Sequence, residues 1–368
     1  MTEPTLKRTA LFERHVAAGA RMVDFGGFEM PLKYSGETAE HTAVRTAVGV
    51  FDVSHMGEVF IEGPQALAAL QRLVTNDAGR ITDGQAMYAG LLHEGGGFVD
   101  DVIVYRFSSE RFLVCVNAGN QDKDFLWMRA AVAGAGFDCV VRNESARWSQ
   151  LAVQGPKAVD VVAALCGDSV RAIAGYHFVA MPILGDADGI VARTGYTGED
   201  GFELYVRNEH VTAVWDAVVG AGAVPCGLAC RDTLRLEAGM CLYGNDIDEA
   251  HTPQQANLGW IVKLDGRPPF IGQAALVAEK AAGVPRLLRG LEMIERGIAR
   301  AGYDVATTSG EVIGRVTSGT QAPHLNAAIA MAYLQREHAT VGSEVNVLIR
   351  GKPVRARVVK LPFYKRPQ

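Results

Sequence analysis

The stretch Gly95-Gly96-Gly97-Phe98-Val99-Asp100-Asp101-Val102-Ile103-Val104-Tyr105-Arg106-Phe107 carries the fold signal and the chemistry signal together. Three glycines mark a turn or a close backbone approach, and the β-branched and aromatic run after them reads as a strand. Alternation then puts Phe98, Asp100, Val102, Val104 and Arg106 on one face. Val99, Asp101, Ile103, Tyr105 and Phe107 take the other, so Asp101 is predicted to share the more apolar face. A carboxylate there loses hydration unless something pairs with it, which marks it as a candidate functional group. The alternative is that both aspartates sit in an exposed turn before the strand begins.

Outward from this strand, Ser108-Ser109-Glu110-Arg111 turns the chain back through Phe112 to Asn117, a predicted hairpin. Pairing Phe107 with Phe112 sets Asp101 opposite Ala118. Strict alternation then aims Asn117 at the other face, and a bend at Ala118-Gly119 is needed for both to reach one ligand. Asn120 is expected to cap a helix running to Gly134. On the N-terminal side, Tyr88 to His93 reads as a strand, Pro64 to Thr75 as an amphipathic helix, and residues 50–61 as strands flanking Ser54-His55-Met56. Residues 6–19 and 36–48 read as helices, the second entered from Ser35, with a glycine-bent strand at 22–32 between them. Further on come a strand at 148–153, a helix to Leu165, and a tight hairpin at 190–206 with a glycine-rich tip. Helices follow at 210–219 and 228–238, the first pattern setting in strongly at Trp215-Asp216. From Pro285 onward short strands dominate (286–292, 311–317, 327–334, 343–349 and 353–360), which predicts an all-β C-terminal domain.

Composition narrows the class. The chain has 368 residues, of which 48% are hydrophobic and 21% charged, enough for two or three globular domains. A net charge of −5 argues against a broad nucleic-acid surface but leaves room for local arginines to meet a small anion. The six cysteines show no paired framework and read as buried free thiols of a reducing cytoplasm. Met1 to Ala10 is polar, without a secretory apolar core, and the apolar window 211–230 is broken by glycines and Pro225, so no membrane span is expected. No phosphate loop, dinucleotide fingerprint, H-E-x-x-H or G-x-S-x-G is present, which disfavours ATP, nicotinamide, hydrolytic zinc and a serine nucleophile.

Several runs in order along the chain carry a resemblance. They are Met22 to Pro31, Phe51-Asp52-Val53-Ser54-His55-Met56-Gly57-Glu58, Asp100-Asp101, Val116-Asn117-Ala118, Arg193 to Glu203, Arg231-Asp232, Tyr243-Gly244-Asn245-Asp246 and Val316-Thr317-Ser318-Gly319. With them the chain resembles the aminomethyltransferase (T-protein) family of the glycine cleavage system. The resemblance implies an α+β fold: a three-domain cloverleaf around a central folate channel, ending in a C-terminal β-barrel. It implies a folate-binding region over 1–282, made of two interleaved subdomains (roughly 1–55 plus 146–225, and 56–145 plus 226–282), and a barrel domain over 283–368.

The implied reaction moves the aminomethyl carbon from the lipoyl arm of H-protein to tetrahydrofolate, releasing ammonia. Tetrahydrofolate is then co-substrate and lipoylated H-protein the partner, with no metal, flavin or nicotinamide, no nucleic acid and no membrane. Asp101 corresponds to the family's catalytic carboxylate and Glu203 to its pterin-binding one, a single carboxylate facing an N–H beside an amino group. Arg231 suits the glutamate tail. Tyr88, Asn117, Tyr196 and Trp260 are further folate contacts, the aromatics as flanks for flat rings, and Tyr364 in the tail joins them. The family's rival members are an iron–sulfur assembly factor and folate-dependent demethylases. The region 239–246 keeps Cys241 but lacks the lysine and Gln-Glu of the former's signature, so Cys241 reads as structural.

Overall fold

The computed structural model describes residues 6–367, so the first half of the polar N-terminal stretch lies outside the described residues. The chain divides into two compact units. One comprises residues 1–70, 78–88 and 102–232, the other 71–77, 89–101 and 233–368.

The first unit is organised by period-two alternation. Strands Phe178–Ile183, Ala187–Ala192, Gly201–Arg207, Trp148–Gln154, Gly49–Asp52 and Val224–Pro225 lie side by side in that order. On Gly201–Arg207, Phe202, Leu204 and Val206 pack with Val161, Val162, Val211, Val214 and Trp215 from helices Ala158–Cys166 and Asn208–Gly220. Phe202 is fully buried, and truncating it to alanine removes a ring worth about 3–5 kcal/mol. The opposite face of the same sheet turns Trp148, Ile190, Ala192 and Tyr205 toward Phe60, Tyr105, Leu113 and Cys115. Glu203 and Gln150 point the same way by alternation, so they lie between two sheets although one is formally charged.

The second sheet has the order Gln85–Leu92, Phe98–Ser108, Arg111–Val116, Gly57–Glu62 and Val140–Asn143. The predicted hairpin is present, but its register differs. A bulge between Arg106 and Ser108 absorbs Phe107, so Arg106 stands opposite Phe112 and Ile103 opposite Cys115. One residue of the strand is lost to the bulge. The sequence-based pairing of Phe107 with Phe112, and the opposition of faces inferred for Asn117 and Asp101, therefore fall.

Burial along Phe98–Ser108 also departs from expectation. Asp100 is the fully buried acid, whereas Asp101 is half-buried, beside the half-buried Ile103. Both strand faces are covered at Phe98 and Val99, so apolar alternation does not distinguish the inner face there. The glycine reading holds. Gly96 has φ +87°, and a side chain at Gly97 would collide with the carbonyl oxygen of Glu249.

Helix ends shifted as local sequence signals commonly do. The first helix is only Phe12–Ala17, and the second spans Glu37–Thr46 with Gly36 at its N-cap. Asn120 closes a 3-10 turn and gives no side-chain cap; the following helix Gln121–Ala135 stops at Gly136, left-handed at φ +71°. Trp215 sits inside its helix rather than at the start. All six cysteines are free, though Cys139 and Cys166 are only half-buried.

In the second unit, six strands close into a barrel in the order Arg286–Met293, Ala327–Gln335, Val312–Ala322, Asp304–Ala306, Glu344–Ile349 and Lys352–Val359. Leu291, Val305, Val316, Ala330, Val347 and Val358 fill it. Asp304–Ala306, which has no sequence signal of its own, is the short piece that completes closure between two longer strands. Arg235 anchors this unit's interior. It ion-pairs with Asp246 at 2.6 Å and donates to Ser318 Oγ at 2.8 Å. Asp246 also accepts from the Leu242 amide and the Thr317 hydroxyl.

Candidate functional site

In the first unit the most developed polar constellation surrounds Glu203, which is 8% exposed. Its Oε1 accepts from Gln150 Nε2 at 2.9 Å, and its Oε2 accepts from Thr194 Oγ1 at 2.5 Å and more weakly from Tyr105 OH at 3.4 Å. Gln150 also donates to Tyr205 OH, which in turn donates to Tyr105 OH, each at 3.0 Å. Burial and the neighbouring carboxylate push both tyrosine hydroxyls well above their ordinary range, so they stay neutral donors. An ionised carboxylate offers about four acceptor positions. Three donors from the protein leave it able to take a further donor from a ligand.

The loop 193–200, wider than the tight hairpin expected, is fixed at its base by Arg193 gripping Asp200 through two nitrogens. Thr197 Oγ1 donates to Gln154 Oε1 at 2.8 Å, while buried Arg45 donates to Thr197 O and Glu199. A Cβ at 195 would strike the end of the Gln154 side chain, and one at 201 would meet both that side chain and the Val153 carbonyl oxygen. This loop presents Tyr196, and the Arg231 guanidinium lies 4.7 Å above its ring. That contact orients the arginine without neutralising it. Arg231 opens the helix Leu228–Glu237, as the sequence predicts.

Beside this group, His55 is 1% exposed, edge-on to Phe25 at 5.4 Å, and its Nδ1 has no partner among the described residues. Burial first, and the Arg231 charge second, push its pKa down to about 4. Asn117 is half-buried at the start of the 3-10 turn Ala118–Asn120, and Tyr88 is half-buried on Gln85–Leu92.

Three other sequence-predicted residues belong to the second unit. Asp101 is half-buried on its strand, and its charge bears on the buried Cys241 thiol. Trp260, on the 3-10 turn Gly259–Ile261, is 60% exposed rather than a core residue, and borders a cavity of about 620 Å³ with Asn257, Lys263 and Lys280. The Tyr364 amide donates to Glu237 O at 2.8 Å, and its ring meets His324 edge-on. Thus Tyr196 and Arg231 are brought to each other. Glu203 is brought to Tyr105, Gln150, Thr194 and Tyr205, none of which the sequence assigns to the site. Their signal is present only in part: Glu203 and Tyr205 share a strand face two residues apart and Thr194 belongs to the same hairpin, but Gln150 and Tyr105 arrive from separate segments.

Among the described residues, no group of three or more His, Cys, Asp or Glu side chains could hold a metal ion, and no helix is long and apolar enough to cross a membrane.

A buried carboxylate with neutral donors behind it and a stacked arginine nearby suits a flat, nitrogen-rich heterocycle that carries an acidic tail. Comparison with known proteins agrees. Residues 11–266 match the GCVT N-terminal domain and residues 286–365 the glycine cleavage T-protein C-terminal barrel domain. The chain is 48% identical to an aminomethyltransferase of Desulfitobacterium hafniense over the full length of both. It is 50% identical to one of Rubrobacter xylanophilus, covering 98% of this chain and 95% of that protein. The crystal structure of glycine cleavage system aminomethyltransferase T from Bartonella henselae superposes with TM-score 0.90 at 35% identity, covering 98% of each chain. The chain belongs to the glycine cleavage T-protein family. Its activity is that of an aminomethyltransferase of glycine cleavage, and the assembly-factor and demethylase alternatives are not favoured.

Proposed function

We propose that the carbon acceptor is tetrahydrofolate and the carbon donor the aminomethyl-loaded lipoyl arm of a glycine cleavage H-protein. Attack by one folate nitrogen and then the other forms two new C–N bonds at the aminomethyl carbon, while its C–NH₂ and C–S bonds break in turn; the two folate N–H protons leave on ammonia and on the thiol. The products are 5,10-methylenetetrahydrofolate and the dihydrolipoyl arm. The observation that carries this reading is the Glu203 carboxylate, buried yet supplied with donors on both oxygens. A pterin's adjacent N–H and amino group form a donor pair that such an acceptor can take.

Arg231 is assigned to the folate glutamate tail. Tyr88, Asn117, Tyr196, Trp260 and Tyr364 are assigned as further folate contacts. Asp101 is assigned as the catalytic carboxylate, stabilising positive charge near N5 and N10 as the new bond forms and assisting the proton transfers. The folate region is assigned to residues 1–282, with subdomains 1–55 plus 146–225 and 56–145 plus 226–282, followed by the barrel domain from 283. A cytoplasmic setting fits the free thiols at all six cysteines. The test is turnover with aminomethyl-loaded H-protein, with and without tetrahydrofolate. Ammonia and methylenetetrahydrofolate should appear together. Ammonia release that is indifferent to folate would refute the assignment of acceptor.

A further inference from the structure

Glu58 is fully buried, and neither of its oxygens has a hydrogen bond to any described residue. Its place is tightly built. The preceding glycine has no room for a side chain, because a Cβ there would meet Gln121 and Val116 at 2.7 Å. Gln121 Nε2 donates to the carbonyls of His55 and Met56, and Ser145 Oγ receives the Glu58 amide at 2.9 Å. The segment 55–58 is therefore held from three sides.

On strand Gly57–Glu62, Glu58 stands directly opposite Cys115 of the neighbouring strand, so the two side chains share one face. Phe60 and Leu113, the next pair along, pack among Trp148 and Tyr205 of the other sheet, which fixes that face as the one turned toward Glu203. The Cys115 thiol reaches Gln150 Oε1 at 3.7 Å, and Gln150 holds Glu203. Glu58, Cys115, Gln150 and Glu203 thus form a continuous polar line inside an otherwise apolar interface. An unpartnered carboxyl in such a place is a standing cost that leucine would avoid.

Resting on the folate reading above, we propose that Glu58 is a ligand-facing group of the same pocket, donating a hydrogen bond from its acid form to an acceptor atom of the bound heterocycle, a ring carbonyl or ring nitrogen. Glu203 and Glu58 then read complementary features: the carboxylate takes the ligand's donors and the carboxylic acid supplies its acceptor. Burial, which raises the Glu58 pKa well above the usual carboxylate range, supports this division of labour.

The experiment is calorimetric titration of the full chain with tetrahydrofolate, for wild type, Glu58→Gln and Glu58→Leu, alongside thermal melting of each without ligand. Glutamine keeps a donor and should bind within about threefold of wild type. Leucine should bind roughly tenfold or more weakly, the loss of about one hydrogen bond, while melting no lower than wild type. An infrared band of a protonated carboxyl that shifts on folate addition, and is missing from Glu58→Leu, is the spectroscopic signature expected. Equal affinity in wild type and Glu58→Leu would overturn the inference, as would a folate-insensitive acid band, which indicates an internal water partner only. Wild type that fails to bind tetrahydrofolate would instead sink the functional reading, and this inference with it.

Discussion

Replacing Glu203 by glutamine changes one oxygen to an NH₂ and leaves size and shape unaltered. The surrounding geometry makes its effect on folding small and on binding large. If the new amide nitrogen takes the Oε2 position, the hydroxyls of Thr194 and Tyr105 can turn to accept from it, while the remaining oxygen still receives Gln150 Nε2. The unliganded protein should therefore lose only about 1 kcal/mol. A ligand that brings two donors meets one acceptor and one donor instead. One charge-assisted hydrogen bond disappears and the other becomes neutral, a loss of about 2–4 kcal/mol. That is a roughly 30- to 700-fold rise in Kd for tetrahydrofolate. Titration calorimetry gives the affinity, and a melting curve on the same sample shows whether the fold is intact. A Glu203→Gln protein that binds tetrahydrofolate within threefold of wild type would refute the role given to this carboxylate.

Other outcomes follow from neighbouring features. Asp101→Asn should bind folate nearly as wild type while turnover with loaded H-protein falls by about 10²–10⁴-fold; unchanged turnover removes Asp101 from the chemistry. Asp246→Ala removes the carboxylate that pairs with the buried Arg235 guanidinium and should cost about 3–5 kcal/mol in denaturant unfolding, whereas Arg235→Leu combined with Asp246→Leu should recover part of that loss. His55, held near pKa 4 when folded against an ordinary 6.5, binds its proton more readily in the unfolded chain. Its contribution is intact above about pH 6.5 and drains away as pH falls toward 4, by roughly 3 kcal/mol in all. Urea midpoints across that range should flatten in His55→Phe, and identical slopes would mean that the imidazole is not buried in its neutral form.

Local pattern carried the sequence reading as far as local forces determine structure. Alternation in 98–107 and 112–116 identified the hairpin, but the bulge at Phe107 moved the register by one residue, because a bulge is chosen by the twist of the whole sheet. The barrel strands announced themselves by composition except Asp304–Ala306, three residues whose extended form comes from the strands on either side. Asp100 and Asp101 were distinguishable by parity, yet which face is the deeper depends on what covers it, and nothing in the run itself encodes that. The residues around Glu203 were invisible for the same reason. Gln150 comes beside Glu203 only when its strand pairs with Gly201–Arg207, Thr194 only when the hairpin loop folds back, and Tyr105 only when the second sheet stacks on the first. Family resemblance singled out Glu203 itself, and only the coordinates supplied what holds it.

The division of the chain into interlaced segments bears on how it is made. The six-stranded sheet needs nothing beyond Pro225 to have all its strands, so it can assemble while the ribosome is still at work. Residues 71–77 and 89–101 emerge early, yet the rest of their unit begins at residue 233 and includes the barrel. For much of synthesis those early segments, Val99 and Phe98 among them, have no finished surface to rest on. Slow translation or a stall beyond residue 232 should therefore leave a nascent chain that is half native and unusually attractive to chaperones.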